Sequence, residues 1–148
     1  RGSPDMSRSI SLACAAVLLA AGAGAAVAQS QGAALEVRTP GLSAEGSVVV
    51  AIFDKEADWK ARDRPVRTQK VAAGPNSRVR IDGLAPGRYG LMVFHDKNND
   101  GRLNTWPIGM PSEPYGFSNN ARGRFGLASW QAASFEVRGD SVQTLRLR

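Results

Sequence analysis

The chain contains one cysteine and one histidine in 148 residues. Zinc sites of the Cys₄, Cys₂His₂ or His₃ kind, and cysteine–histidine nucleophile pairs, need more of these residues than are present, so zinc and thiol chemistry are all but excluded. There is also no basic block. The 19 Lys+Arg against 13 Asp+Glu give a net charge of +6, but the charges are scattered singly, which argues against a nucleic-acid partner. Aromatic residues make up only 7%, and no long apolar pattern of period 3.6 runs through the chain, so a helical architecture is not expected. What remains, 43% hydrophobic and 22% charged residues, is the composition of one globular domain.

The first segment reads as a targeting signal and not as part of the fold. Arg1 to Asp5 precede the first methionine and look like an expression remnant. Arg8 supplies a positive start, residues 10–27 are uncharged and rich in Ala and Leu, and Ala26-Val27-Ala28 stands before Gln29. That is the pattern of a secretory signal peptide over residues 6–28 with an A-x-A cleavage site. Ser11, Gly22, Gly24 and the many alanines dilute the run below what a membrane anchor needs. Cys14 comes too early to be the processed cysteine of a lipoprotein, and the sequence from Gln29 onward has no other, so disulfides play no part. The expectation is a periplasmic or secreted protein with no membrane span after cleavage, a flexible lead-in over 29–34 and one domain over 35–148.

From Ala34 onward the apolar residues recur with period two, between Gly, Pro, Asn and Asp. The pattern predicts strands at 35–39, 47–53, 68–72, 78–81, 88–95, 134–138 and 141–147, hence an all-β, about seven-stranded antiparallel β-sandwich with one long loop. Val79 and Ile81 alternate with Arg78 and Arg80, and Leu145 and Leu147 with Thr144 and Arg146, so these four apolar side chains are core candidates. Tyr89, Leu91 and Val93 point opposite to Met92 and Phe94, which makes their strand central. Residues 55–64 are charged around Trp59 and predict a helical turn whose tryptophan plugs an edge of the sandwich. The long loop, 96–125, follows the central strand and is where a functional surface is expected.

Residues 96–104 read Asp-Lys-Asn-Asn-Asp-Gly-Arg-Leu-Asn. Oxygen side chains at Asp96, Asn98, Asp100 and Asn104, a bend at Gly101, the Arg102 carbonyl and an apolar anchor at Leu103 match the front half of an EF-hand calcium loop. Position twelve is Pro107 where an EF-hand has a bidentate glutamate, and Glu113 is the nearest carboxylate replacement. The same residues also build plain turns through Asx hydrogen bonds, so a metal-free turn competes with calcium; no organic cofactor is expected. His95 beside Asp96 suggests a hydrolytic pair with Ser118, but adjacent strand residues face opposite ways, and a structural histidine bonded to the long loop is expected instead. Trp106, Tyr115, Arg122 and Arg124 interleave aromatic faces with guanidinium forks in one loop, a chemistry suited to an anionic glycan or a protein partner, though the same side chains could simply pack the loop.

The turn and strand Gly83-Leu84-Ala85-Pro86-Gly87-Arg88-Tyr89, leading into Val93-Phe94-His95-Asp96, resemble transthyretin-like and related adhesin-repeat sandwiches. With Tyr115-Gly116-Phe117-Ser118-Asn119-Asn120-Ala121-Arg122-Gly123 added, residues 35–147 are similar to the bacterial domain-of-unknown-function family 2141. The resemblance implies a signal peptide, a small β domain and an Asp/Asn-rich loop after the His-Asp pair. Asn104 stands where an aspartate is common in that family, which lowers the charge of the loop. The sequence therefore points to a secreted binding or envelope-accessory module; the alternative is a small hydrolase using a loop-end pocket around His95.

Overall fold

Two stretches, residues 47–53 and 87–96, carry apolar side chains at successive positions, and only a strand covered on both faces buries such a pattern. In the computed structural model, which describes residues 32–101, 112–124 and 126–148, they are neighbouring inner strands. The expected signal segment, with Arg102, Asn104, Trp106 and Phe125, lies outside the described residues.

The elements run β1 (Ala33–Pro40), β2 (Ser47–Phe53), α1 (Glu56–Ala61), β3 (Arg67–Ala72), β4 (Asn76–Leu84), β5 (Gly87–Asp96), β6 (Tyr115–Phe117), a 3-10 turn (Ser118–Asn120), α2 (Trp130–Ala133), β7 (Phe135–Val137) and β8 (Ser141–Thr144). One sheet has the order β4-β1-β8; the other has β3-β2-β5-β6, with β7 paired to the first residues of β5. The fold is thus all-β and sandwich-like. It departs from the expected antiparallel, seven-stranded arrangement at three points. β8 runs parallel to β1, Arg38 opposite Thr144. β6 lies inside what the sequence presents as an unbroken loop. β8 ends at Thr144, and the residues after it cross toward the other sheet: Leu145 N–H donates to the Arg38 carbonyl, while Arg148 and Tyr115 exchange two backbone bonds. β1 also starts at Ala33, inside the expected lead-in.

The main core lies between the sheets. Leu35 and Val37 of β1, Val79 and Ile81 of β4, Leu145, and Val48, Val50, Ile52, Leu91 and Val93 from the opposite sheet fill it. Each such side chain contributes roughly 1.5–3 kcal/mol on burial. The four core candidates behave as expected: Val79, Ile81 and Leu145 are buried and Leu147 packs against them. Tyr89 secures the entry to β5, its hydroxyl donating to the Ala85 carbonyl at 2.6 Å, the geometry of a tyrosine corner. Burial and, secondarily, the Asp54 charge raise its phenol above the ordinary value, so its contribution is intact below the ordinary phenol range and is lost as pH rises through the raised value.

A second apolar layer covers the outer face of β2 and β5. Trp59, wholly buried on α1, is ringed edge-on by Phe53, Phe117 and Trp130 at 5.6–5.8 Å. Its Nε1–H donates to the Ala128 carbonyl at 2.8 Å. Met92 and Tyr115 pack against this layer, which explains why β5 is apolar on both faces. Gly90 of β5 faces both tryptophans, leaving about 2.9 Å between its would-be Cβ and each ring.

Candidate functional site

The Asp96 turn is folded around its own first carboxylate. Asp96 is fully buried; its Oδ1 accepts from Asp100 N–H at 3.2 Å and its Oδ2 from Gly101 N–H at 2.7 Å. Asn98 Oδ1 also accepts from Asp100 N–H, and its amide nitrogen donates to Asp100 Oδ2. Glu113 comes back to the same turn, buried, with Oε1 accepting from Lys97 N–H at 3.1 Å. So four of the expected oxygen-bearing residues, Asp96, Asn98, Asp100 and Glu113, are brought together. Among the described residues no three His, Cys, Asp or Glu side chains form a metal-holding group, so the Asp96, Asp100 and Glu113 carboxylates share the turn without converging on one point.

His95 is buried and its Nε2–H donates to the Glu45 carbonyl at 2.5 Å. The ring therefore ties down the β1–β2 connection. His95 is also bonded to the long loop, as expected, its N–H donating to the Pro114 carbonyl.

Ser118, Asn119 and Asn120 are bound into the scaffold. Ser118 is fully buried, its Oγ accepting from Leu91 N–H and donating to the Ala133 carbonyl. Asn119 and Asn120 hold φ of 60° and 51°, the left-handed region that asparagine tolerates better than most residues. From there Asn119 Nδ2 donates to the Ala132, Ala133 and Ser134 carbonyls, and its backbone and side chain both bond Gln143. Asn120 donates to the Thr144 carbonyl and accepts from Arg146 N–H. Three consecutive polar residues thus join β5, α2 and the end of β8.

That join places a cleft of about 70 Å³ between β6 and the residues after β8, lined by Tyr115, Asn120, Arg122, Gly126, Arg146 and Arg148 among others. Gly123 on its wall stands so near the Leu127 carbonyl that a Cβ would lie 2.3 Å from it. Arg122, Arg146 and Arg148 are exposed and enter no ion pair among the described residues, whereas Arg38, Arg64, Arg78, Arg80, Arg88 and Arg138 all do. Arg62 sits at the rim, its Nη2 3.6 Å from where a Gly126 Cβ would be. Guanidinium forks gathered in one concave site have the geometry to hold oxyanions.

The family profile described as "Uncharacterized protein conserved in bacteria (DUF2141)" matches residues 40–145. The chain belongs to the DUF2141 family. No curated protein and no solved structure matches it. Within this DUF2141 domain, the sequence-derived surface divides: Tyr115 and Arg122 line the cleft, Arg124 is exposed outside its lining, and His95 and Ser118 are buried elsewhere. Arg146 and Arg148 of the DUF2141 cleft were not among the candidate residues. Their alternation with Leu145 and Leu147 was legible, but not the crossing that brings them to Tyr115. Among the described residues, no helix is long and apolar enough to cross a membrane.

Proposed function

We propose that the chain is a binding module of the bacterial envelope or exterior, whose ligand presents anionic oxygens to the Tyr115–Arg122–Arg146–Arg148 cleft. The observation that carries this reading is the set of arginines gathered there without ion-pair partners among the described residues. Their forks suit carboxylate, sulfate or phosphate, and the Tyr115 ring offers a face for a sugar. The A-x-A pattern at Ala26 to Ala28 supports export. Binding is favoured over hydrolysis because the cleft lining includes neither His95 nor Ser118, and His95 Nε2 and Ser118 Oγ both bond backbone groups. Retention on isolated envelope polymers tests the reading: Arg122→Ala/Arg146→Ala is expected to lower affinity at least tenfold at low salt, and Arg124→Ala to change it little. Equal retention of the double variant and the unmodified chain overturns it.

Calcium stapling of the Asp96 turn is the second part of the proposal. Support comes from Glu113, which returns to the turn started by Asp96 and supplies the carboxylate that Pro107 does not. Calcium at a hundred times its dissociation constant is expected to add about 2.7 kcal/mol of stability, read as a higher thermal midpoint that Asp100→Ala abolishes. A melting curve unchanged between millimolar calcium and chelator means that hydrogen bonds alone hold the turn.

A further inference from the structure

We infer that the ligand is a linear acidic polysaccharide, running from the Arg122–Arg146–Arg148 cleft over the edge of β8 onto the Arg38–Arg78 face of the β4-β1-β8 sheet. The inference rests on the anion-binding reading above and adds the length and class of the ligand.

Its basis is a second cleft, of about 200 Å³, lined by Arg38, Pro40, Asn76, Ser77, Arg78 and Thr144. Arg38 and Arg78 are direct cross-strand partners. Like charges set opposite one another destabilise a sheet, and an anionic ligand removes that cost. Glu36 offsets part of it, meeting Arg38 Nε at 2.6 Å and Arg78 at 3.8 Å, but one carboxylate serves two guanidiniums there, and Arg80 is occupied by Asp82.

β8 links the linings of the two clefts. Thr144 lines the second and stands opposite Arg38. Its carbonyl accepts from Asn120, which lines the first. Beyond it the exposed positions alternate, Thr144, Arg146 and Arg148, with Leu145 and Leu147 turned inward. Strand spacings of about 4.8 Å and roughly 6.6 Å per two residues put the path from Arg78 to Arg148 on the order of 20 Å. A single oxyanion reaches one end of such a path; a chain carrying repeated charges reaches both.

The lining decides the class. Asn76 and Thr144 offer hydrogen-bonding groups suited to hydroxyls, and among the described residues lining the two clefts Tyr115 is the one aromatic apart from buried Phe117. Single-stranded nucleic acid is bound by successive aromatic platforms, whereas the described residues along this path offer Tyr115 alone.

The test compares galacturonate monomer, long polygalacturonate, dextran sulfate, neutral dextran and a thymidine oligonucleotide of matched charge, each titrated at fixed low salt. The unmodified chain is set beside Arg38→Gln/Arg78→Gln and Arg122→Gln/Arg146→Gln, with melting curves recorded to establish folding. All exchanged side chains are on the surface, and Lys replacements at the same positions serve as charge-retaining rescue. The Arg38/Arg78 variant is expected to lose at least tenfold in affinity for one or both acidic polymers and nothing for the monomer; the Arg122/Arg146 variant should lose for both sizes. Unchanged polymer affinity in the Arg38/Arg78 variant overturns the extended path and leaves the cleft reading standing. Unchanged affinity in the Arg122/Arg146 variant overturns both. Binding of neither acidic polymer by the unmodified chain, or equal affinity for the oligonucleotide or neutral dextran, overturns the polysaccharide assignment.

Discussion

Trp59→Ala is expected to lower the free energy of unfolding by about 3–5 kcal/mol, the usual cost of emptying an aromatic site in a core. Trp59 is wholly buried, and its indole is the shared partner of Phe53, Phe117 and Trp130. Removing it opens a cavity that α1 and α2 cannot both collapse into, because Gly90 beneath them belongs to a strand held on both edges. Domains of this size are stable by about 5–15 kcal/mol, so the change takes a large fraction. Trp59→Phe keeps most of the volume and leaves the Ala128 carbonyl without its indole donor, with an expected cost of about 1–3 kcal/mol. Guanidinium unfolding followed by near-ultraviolet dichroism reads both. An alanine variant losing less than the phenylalanine variant would contradict the packing account.

Gly46→Ala is expected to cost about 3 kcal/mol or more. Gly46 has φ of +67°, and a Cβ there would lie 2.0 Å from the Asp96 carbonyl oxygen and 2.7 Å from Lys97 Cα. The left-handed conformation alone costs alanine roughly 1–2 kcal/mol, and relieving a backbone overlap adds about 1–3 kcal/mol of strain. Gly41→Ala separates the two terms, since Gly41 has φ of +79° but nothing within 4 Å of its would-be Cβ. Denaturant midpoints should therefore order as unmodified, Gly41→Ala, Gly46→Ala. Equal losses at the two glycines would show that the close approach of Gly46 to Asp96 carries no energy.

The strands were legible where one physical rule acts alone. Alternation along Arg78-Val79-Arg80-Ile81 means one dry and one wet face, and β4 has that pattern. The doubled apolar pattern of β5 signalled a covered central strand. Trp59 amid charged neighbours signalled a plug, and α1 buries it. Tyr115 to Phe117 gave no such signal: β6 is three residues long, and it becomes a strand because β5 and Arg148 flank it. The parallel pairing of β8 was hidden for the same reason, as register across long sequence separations leaves no local trace. At the site, Arg122 and Tyr115 could be named from chemistry within one loop. Arg146 and Arg148 reach them only through a crossing between sheets that no local pattern encodes.

Asn120 has a consequence for solubility. A strand at the margin of a sheet offers its open backbone groups to any other chain, and proteins rich in apolar strands aggregate along such margins unless they are blunted. On the outer side of the β8 strand and its continuation, the Thr144 carbonyl and Arg146 N–H are both taken by the one Asn120 side chain, with Asn119 engaging Gln143 beside them. A foreign strand would have to displace side-chain amides already held in a left-handed turn before it could add itself there. The polar knot beside the cleft therefore also closes this one margin of the sheet to strand addition by another copy.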